Sequence, residues 1–290
     1  MPAFDYHAVG SVPEALDLLG QYGDEACLVA GGASLLLMMR QGLVRSSHVI
    51  GLRGVDELRG IWRLPGGGLE IRALTTHCEA ECSPEVQAYC PALAESFSRI
   101  ATVRVRNQGT VGGNLAYADP AHDPPPMLLA LDARTVIAGP EGERTIPLSE
   151  FFVDSFRTVL GKEEILVAVR LPALPSTARS MYLKFLPRGE GTEGDYATVS
   201  VAATLWPGPD NICEDVRLAL GSVAPVPMRV GRVENVLRGE RLISDLIEDA
   251  AGLVCSEIDP LDDVRGSARY KREMARVWTR RVLQNLLERV

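Results

Sequence analysis

The stretch Arg106–Asp123 constrains this chain more than any other, because it combines three closely spaced glycines with several polar side chains. Gly109, Gly112 and Gly113 tolerate positive φ angles and let a ligand come closer to the backbone than a Cβ would allow. Successive free N–H groups in such a run can surround an anion such as a phosphate. The proline run 124–126 follows directly and is expected to stop any helix there. Because surface turns often have this composition too, the stretch alone leaves both interpretations open.

A second glycine stretch, Leu28–Arg40, indicates a short apolar strand, a turn at Gly31 and Gly32, and then a helix. Free N–H groups at the N-terminus of such a helix favour an anion, and Ser34 is placed to cap it. The stretch matches neither the G-x-G-x-x-G pattern of a Rossmann dinucleotide site nor the G-x-x-x-x-G-K-[ST] pattern of a P-loop, so neither site is expected. Two such turns, well apart in the sequence, fit one diphosphate bound from two sides.

The composition indicates a soluble globular protein without a nucleic-acid or membrane partner. The 290 residues are 46% hydrophobic and 23% charged, enough for two domains or one large one. The net charge of -8 argues against nucleic acid and anionic membranes as partners. No apolar run approaches the roughly 20 residues that span a bilayer. The N-terminus lacks the basic start and apolar core of a secretory signal, so we expect a cytoplasmic protein.

The six cysteines favour free thiols over a metal site. None belongs to a C-x-x-C pair, although Cys78, Cys82 and Cys90 cluster with three and seven residues between them. No fourth cysteine lies near this cluster. Solitary reduced thiols, as in most cytoplasmic proteins, are therefore preferred to a metal or iron–sulfur centre.

The first 175 residues are predicted to mix short strands with helices. Ser11–Glu14 is a capping box with a proline in the first turn, and apolar residues follow at helical spacing. One long helical pattern runs from Pro84 to Val103, and Met127–Ala130 is helical again. Strands are predicted at Cys27–Ala30, His48–Leu52, within residues 57–75, and at Arg134–Ala138, Arg144–Pro147 and Glu163–Pro172.

The proline-rich stretch Pro172–Ser176 is the predicted domain boundary. Three strand-like runs joined by Gly/Pro turns follow, and small residues among them suggest a sheet that is covered on one face. Two amphipathic helices then end the chain and are expected to pack on this sheet. The predicted strands are Ser180–Leu186, Tyr196–Leu205 and Ile212–Leu220, and the helices are Leu242–Cys255 and one starting near Ser267.

Three motifs occur together: A-G-G-x-S-L from Ala30, T-T-H from Thr75, and R-N-x-G-T-x-G-G-N from Arg106, which an Asp-Pro pair follows. In this combination the chain resembles the FAD-binding subunit of the molybdenum hydroxylases, of the carbon monoxide dehydrogenase and xanthine dehydrogenase type. The resemblance implies an α+β protein. A two-part FAD-binding domain of the vanillyl-alcohol-oxidase/PCMH type would occupy residues 1–175, with parts 1–55 and 56–175. A C-terminal domain with a three-stranded antiparallel sheet and packed helices would occupy 176–290.

The resemblance also implies a set of residues that bind FAD. The first glycine turn would bind the diphosphate through backbone N–H groups, and residues after Gly109 would close the other side. No catalytic side chain or metal ligand is implied, because the redox chemistry belongs to the flavin. The implied set is Ala30, Gly31, Gly32, Ala33, Ser34, Leu35, Thr76, Thr110, Gly112, Gly113, Asn114, Asp123, Leu166, Lys184 and Tyr196.

Four of these residues carry more specific expectations from the family. Asp123 would accept hydrogen bonds from ribose or ribityl hydroxyls, and the backbone of Leu166 would touch the adenine end or the ring edge. Lys184 would place a cation near the pyrimidine edge of the flavin. Tyr196, within a G-D-Y-A element, would stack on the ring, although the loop before it, 187–193, is a few residues longer than in relatives. Three of them have a plain alternative: a turn or N-cap residue for Asp123, a surface lysine for Lys184 and a core tyrosine for Tyr196. His77 is expected to be structural.

The chain has neither the cysteines for a 2Fe–2S cluster nor a molybdopterin-sized domain. The resemblance therefore implies partners: a small iron–sulfur subunit with 2Fe–2S clusters and a large subunit with the molybdopterin cofactor, in a dimer of heterotrimers. Electrons would pass from these clusters to FAD and on to an external acceptor. The alternatives are a stand-alone FAD-dependent oxidoreductase of the same fold superfamily and a nucleotide-binding or assembly module without a redox cofactor. The substrate and the acceptor are not specified by the sequence.

Overall fold

The computed structural model of the chain describes residues 3–187 and 196–288. The α-helices in this part of the chain are α1 Val12–Tyr22, α2 Leu35–Arg40, α3 His77–Cys82, α4 Pro84–Tyr89, α5 Pro91–Ser98, α6 Val103–Arg106, α7 Val111–Tyr117, α8 Pro124–Ala130, α9 Gly231–Leu237, α10 Ser244–Glu257 and α11 Ala268–Glu288. The strands are β1 Asp5–Ala8, β2 Ala26–Val29, β3 His48–Gly51, β4 Ile61–Arg63, β5 Leu69–Arg72, β6 Arg134–Gly139, β7 Gly142–Pro147, β8 Phe152–Asp154, β9 Arg157–Thr158, β10 Ile165–Leu171, β11 Arg179–Phe185, β12 Val199–Pro207, β13 Cys213–Gly221 and β14 Met228–Arg229. None of the described helices is both long and apolar enough to cross a membrane.

The N-terminal unit is a three-stranded parallel sheet in the order β1-β3-β2, with α1 packed on it. Ser11 caps α1 as predicted, because its hydroxyl accepts the N–H of Glu14. The other half of the predicted capping box is shifted: the Glu14 carboxylate accepts the N–H of Gly10, 2.8 Å away, and not that of Ser11. The unit thus begins with a well-capped helix that leads into the strand before the first glycine turn.

The middle of the chain is built on an antiparallel five-stranded sheet in the order β4-β5-β10-β6-β7. Alternate residues of its strands contribute to two different cores. Val136 and Val167 pack with the N-terminal unit, whereas Ile137 and Leu166 pack with the helices on the other face. The central strands β5, β10 and β6 are therefore buried on both faces, and the sheet lies between the N-terminal unit and the helices of the middle region.

The predicted helix from Pro84 to Val103 is wrong as a continuous element. Cys90 has an extended backbone, with φ -159° and ψ 102°, where α4 ends and α5 begins. This break follows from Pro91, which lacks an N–H donor and disfavours a helical residue before it. Ala101 then takes a positive φ of 38° before α6 starts. The apolar spacing continues across the break at Cys90 because α4 and α5 bury their apolar residues in the same core.

The proline run does not stop a helix but starts one. Pro124, Pro125 and Pro126 form the first turn of α8, where a missing N–H removes no intrahelical hydrogen bond. All three prolines are buried. Asp123 occupies the N-cap position, yet its side chain makes no capping hydrogen bond. The side chain is thereby available for the contacts described below.

The C-terminal part has the three long antiparallel strands that the sequence predicts, β11, β12 and β13, and the short β14 extends this sheet. Helices α10 and α11 pack on one face, as predicted, together with α9, which the sequence patterns do not predict. The other face is also covered, because Ala202 and Ala219 belong to the core that contains α8. The prediction of a sheet covered on one face is therefore wrong. The small residues allow α8 to approach the strands closely.

Candidate functional site

The two glycine turns of the sequence lie directly against each other. A Cβ on Gly31 would lie 1.7 Å from the carbonyl oxygen of Gln108, which immediately precedes Gly109. Gly32 adopts a φ of +74°, in the region that favours glycine. The first turn therefore requires glycine for two separate reasons, a close backbone approach and a left-handed conformation.

The glycines of the second turn serve packing and not positive φ angles. Gly109, Gly112 and Gly113 are absent from the glycines with positive φ, so the expectation based on backbone freedom is wrong for them. A Cβ on Gly112 would lie 2.5 Å from the Cβ of Ala73, and one on Gly109 would lie 2.9 Å from the His77 ring. These glycines let α7 pack closely against the segment that follows β5.

The first turn keeps backbone N–H groups without partners. Among the described residues, no acceptor is found for the N–H groups of Gly31, Gly32, Ala33 and Ser34. Helical hydrogen bonding begins with the N–H of Leu36, which donates to the carbonyl of Gly32. Ser34 does not cap α2, because its backbone is already helical and its side chain makes no capping bond. The predicted Ser34 cap is thus wrong, and the exposed donors are those of a helix start that an anion can satisfy.

In the second turn most N–H groups are already used inside the chain. The N–H of Gly112 donates to the Ala73 carbonyl at 2.8 Å, and the N–H of Gly113 donates to the Thr110 hydroxyl at 3.1 Å. Thr110 therefore caps α7. Its own backbone N–H has no acceptor among the described residues. The expectation of a ring of free N–H groups here is wrong, and Thr110 is the donor that this turn retains.

A cavity of about 360 Å³ opens beside the two turns. Every residue of the predicted FAD-binding set lines it except Thr76 and Lys184. Thr76 instead caps α3: its hydroxyl accepts the N–H of Glu79, and the Glu79 carboxylate accepts the N–H of Thr76. The lining also contains His77, Tyr117 and His122, which the predicted set leaves out. The sequence signal for His77 is the T-T-H motif, whereas that for Tyr117 and His122 is their position after the second glycine turn.

Two buried polar atoms in the lining lack a hydrogen-bond partner. Asn114 Oδ1 and His77 Nδ1 are both buried and unpaired among the described residues. Buried polar atoms are satisfied in most folded proteins, so two orphans in one cavity fit a polar ligand. Together with the free N–H groups of the first turn, they make a lining that suits a long cofactor with an anionic part and hydroxyl groups.

His77 is held neutral by its surroundings. Burial, and then the nearby His122 and Arg106, lower the pKa of His77 from 6.5 to about 3. Its ring stacks on Phe97 with 5.9 Å between centroids. The expected structural histidine is therefore buried, although one of its nitrogens is not satisfied by the protein.

Asp123 links the cavity to the C-terminal sheet. Its carboxylate accepts hydrogen bonds from the Tyr182 hydroxyl at 2.6 Å and from the Lys184 ammonium at 2.9 Å. Lys184 also donates to the carbonyl of Arg99 at 3.0 Å. Burial raises the pKa of the Asp123 carboxyl, while Lys184 and the Tyr182 hydroxyl oppose this rise. Lys184 is thus neither a plain surface lysine nor a cavity-lining one, because its side chain is buried in this ion pair.

Aromatic rings form one wall of the cavity. The rings of His122 and Tyr196 lie 6.2 Å apart at an angle of 18°, and the ring of Tyr117 lies 5.7 Å from His122. Burial, followed by the nearby Asp119 carboxylate, raises the pKa of Tyr196 to about 12, so its hydroxyl stays protonated. Tyr196 is 41% exposed and is therefore not a core tyrosine. Residues 188–195, which include most of the longer loop predicted before it, lie outside the described residues.

The six cysteines are all free thiols. Within residues 3–187 and 196–288, no three His, Cys, Asp or Glu side chains are grouped to hold a metal ion.

Comparisons with known proteins cover both halves of the chain. Residues 2–174 match the model of the FAD binding domain in molybdopterin dehydrogenase, and residues 182–286 match that of the CO dehydrogenase flavoprotein C-terminal domain. The carbon monoxide dehydrogenase medium chain of Hydrogenophaga pseudoflava is 38% identical over 97% of this chain and 96% of its own length. The 6-hydroxypseudooxynicotine dehydrogenase complex subunit alpha of Paenarthrobacter nicotinovorans is 34% identical over 99% of this chain and 96% of its own.

Solved structures show the same similarity. Carbon monoxide dehydrogenase from Hydrogenophaga pseudoflava matches with a TM-score of 0.94 and 37% identity, over 99% of this chain and 98% of the other. Quinoline 2-oxidoreductase from Pseudomonas putida 86 matches with a TM-score of 0.91 and 31% identity, over the same shares of both chains. The similarity therefore extends over both halves of the fold.

Proposed function

Because this chain belongs to the FAD-binding subunits of the molybdenum hydroxylases, we propose that it holds FAD in the cavity beside its two glycine turns and relays electrons from partner 2Fe–2S clusters to an external acceptor. Its relatives are subunits of oxidoreductases, and this chain is one as well. The observation that carries the proposal is the contact between the two turns, which brings unpaired N–H groups from both to one cavity.

The first turn would hold the diphosphate. The free N–H groups of Gly31, Gly32, Ala33 and Ser34 would donate from one side and Thr110 from the other, each charge-assisted contact contributing about 1.5–3 kcal/mol. Ala30 and Leu35 bound this turn, whereas Gly112 and Gly113 provide close approach and not donors. Asn114 would offer its unpaired side-chain oxygen to a ligand hydroxyl.

Other residues would orient the cofactor. Bound FAD exchanges electrons one or two at a time; the protein provides its position and its electrostatic surroundings. Asp123 would accept a ribose or ribityl hydroxyl with its remaining lone pairs, and Lys184 would set the charge of that carboxylate from behind. Leu166 precedes a bulge in β10, where the strand departs from its regular ladder and its backbone can face the ligand. Tyr196 would cover the flavin ring.

The proposal includes partners, since the described part of this chain has no group of His, Cys, Asp or Glu side chains that could hold a metal centre. We infer a small iron–sulfur subunit and a large molybdenum subunit, in a dimer of heterotrimers. Relatives are named as medium chains or as subunits of dehydrogenase complexes, which supports this inference. The proposed domain boundary at 172–176 overlaps the end of the first matched region, 2–174, and precedes the second, 182–286, which supports it. The cytoplasmic location stays a prediction.

The test is to purify the protein from its native host through a tag on this chain. Subunit masses, the visible absorption spectrum, and the iron and molybdenum content would then be measured on the same sample. We expect a yellow-brown complex with one large and one small partner, containing flavin, iron and molybdenum. Flavin in a chain without partners or metals would instead indicate a stand-alone flavoenzyme. A sample without flavin, even after incubation with FAD, would contradict the proposal.

A further inference from the structure

Arg265 joins the C-terminal helices to the aromatic wall of the cavity. Its guanidinium carbon lies 5.0 Å from the centroid of the Tyr196 ring, within the range of a cation–π interaction. Tyr196 in turn lines the cavity and faces the ring of His122. Arg265 itself is not part of the cavity lining, so it reaches the site only through Tyr196.

The segment that carries Arg265 is fixed in place. It lies between α10 and α11, and the N–H of Arg265 donates to the Asp263 carboxylate at 2.8 Å. Lys271 in α11 binds the same carboxylate at 2.7 Å and the carbonyl of Leu261 at 2.9 Å, and its side chain is only 4% exposed. The hydroxyl of Thr198, two residues after Tyr196, donates to the carbonyl of Arg265 at 3.4 Å. The backbone of Arg265 is thus fixed on both sides, and its guanidinium lies between the Tyr196 ring and the Asp263 carboxylate, 3.4 Å away.

Two groups of opposite charge lie next to Tyr196. The Asp119 carboxylate lies close enough to raise the pKa of the Tyr196 hydroxyl, whereas the Arg265 guanidinium acts to lower it. The Arg265 guanidinium is 32% exposed and lies 3.4 Å from the Asp263 carboxylate, which Lys271 also binds. Two cations therefore share one carboxylate, and a net positive charge is left on this side of Tyr196. The cation matters if a group that gains negative charge lies next to Tyr196.

We propose that Arg265 is a positioning residue for the flavin: it holds Tyr196 at the cavity wall and brings a positive charge to the side of the cavity that this ring forms. The proposal rests on the proposed function, because it requires a flavin beside Tyr196. Reduced flavin gains negative charge, which a nearby cation stabilises relative to the oxidised form. Arg265 therefore raises the flavin reduction potential and limits the movement of Tyr196.

Two variants of the intact complex separate these effects. Arg265→Gln removes the charge and the stacking, whereas Arg265→Lys keeps the charge but loses the flat guanidinium. We expect the first to weaken binding of reduced relative to oxidised flavin about tenfold, which for a two-electron couple lowers the potential by about 30 mV. Both should change the flavin absorption band, seen as the difference between flavin-loaded and flavin-free complex, because Tyr196 is less restrained.

Arg281→Gln is the matched control. Arg281 stacks on Trp278 with its guanidinium carbon 4.9 Å from the ring centroid, on α11 and away from the cavity lining. Its replacement should leave the potential and the flavin band unchanged. If Arg265→Gln purifies without flavin, the proposal is tested by comparing Arg265→Lys with the wild type. The flavin band of Arg265→Lys should shift, while its reduction potential stays nearly constant. Unchanged potential and band in the flavin-loaded Arg265 variants would overturn the proposal. A wild-type complex without flavin would instead refute the proposed function.

Discussion

At the scale of single residues, His77 shows how burial sets the charge state of a side chain. A histidine next to two threonines gives little indication of its charge state from sequence. In the fold it is 3% exposed, its ring lies against Gly109, and its pKa falls to about 3. It therefore faces the cavity as a neutral ring with one unpaired nitrogen.

This lowered pKa predicts a loss of stability in acid. As the pH falls below about 6.5 the unfolded chain binds a proton at His77, but the folded chain does not until the pH nears its pKa of about 3. The free energy of unfolding should therefore decrease with falling pH across that window. Between pH 7 and pH 5 the wild type should lose about 2 kcal/mol more than His77→Gln. Denaturant unfolding of both chains at the two pH values measures this difference, and equal losses would contradict it.

At the scale of elements, the contact between the two turns is the feature on which the site depends. A short strand followed by two glycines can be predicted from sequence, and so can the second glycine run. Their contact cannot be predicted from local patterns, because Gly31 and Gln108 are far apart in the chain and meet only after β2 and α7 are both packed.

Gly31→Ala tests this contact. The new Cβ would overlap the Gln108 carbonyl, a backbone atom that cannot rotate away, so we expect a loss of stability of about 3 kcal/mol. The flavin content of the complex should fall with it. Gly20→Ala is the control: a Cβ at this position in α1 would have no other atom within 4 Å, and alanine there should stabilise the helix by about 0.5–1 kcal/mol. Thermal unfolding and flavin content are measured for both variants. A full flavin content in Gly31→Ala would contradict the prediction.

Elements with local signals can be predicted from the sequence, and elements set by tertiary contacts cannot. The Ser11 cap of α1 and the three long strands of the C-terminal sheet follow from spacing and turn residues. The break at Cys90, by contrast, is hidden because apolar spacing continues across Pro91. The proline run is ambiguous because a proline ends a helix in its interior but begins one at its first turn.

At the scale of the whole molecule, a buried ion pair joins the two halves of the chain. Asp123 precedes α8, whereas Tyr182 and Lys184 lie on β11 of the C-terminal sheet. Sequence motifs could indicate that Asp123 and Lys184 belong to the site, but not that they bind each other. That pairing depends on how the sheet packs over α8.

Removing one partner of this ion pair should lower the free energy of unfolding. Lys184→Met leaves the Asp123 carboxylate buried without its cation, and we expect a loss of about 3–5 kcal/mol. The double variant Asp123→Asn with Lys184→Met should recover part of the lost stability. Lys162→Met serves as the control, because its ion pair with Asp24 is largely exposed and contributes less than about 1 kcal/mol. Denaturant unfolding of these chains tests whether Lys184→Met loses more stability than Lys162→Met. Equal losses in the two lysine variants would contradict the prediction.

The central claim is that one cofactor lies in the cavity beside the two glycine turns, and a structure of the complex purified from the native host tests it most directly. We predict FAD in the cavity, with its diphosphate within hydrogen-bonding distance of the N–H groups of Gly31–Ser34 and Thr110, and its ring beside Tyr196. A cavity without FAD in a complex that contains flavin, or a diphosphate bound away from both turns, would contradict the claim.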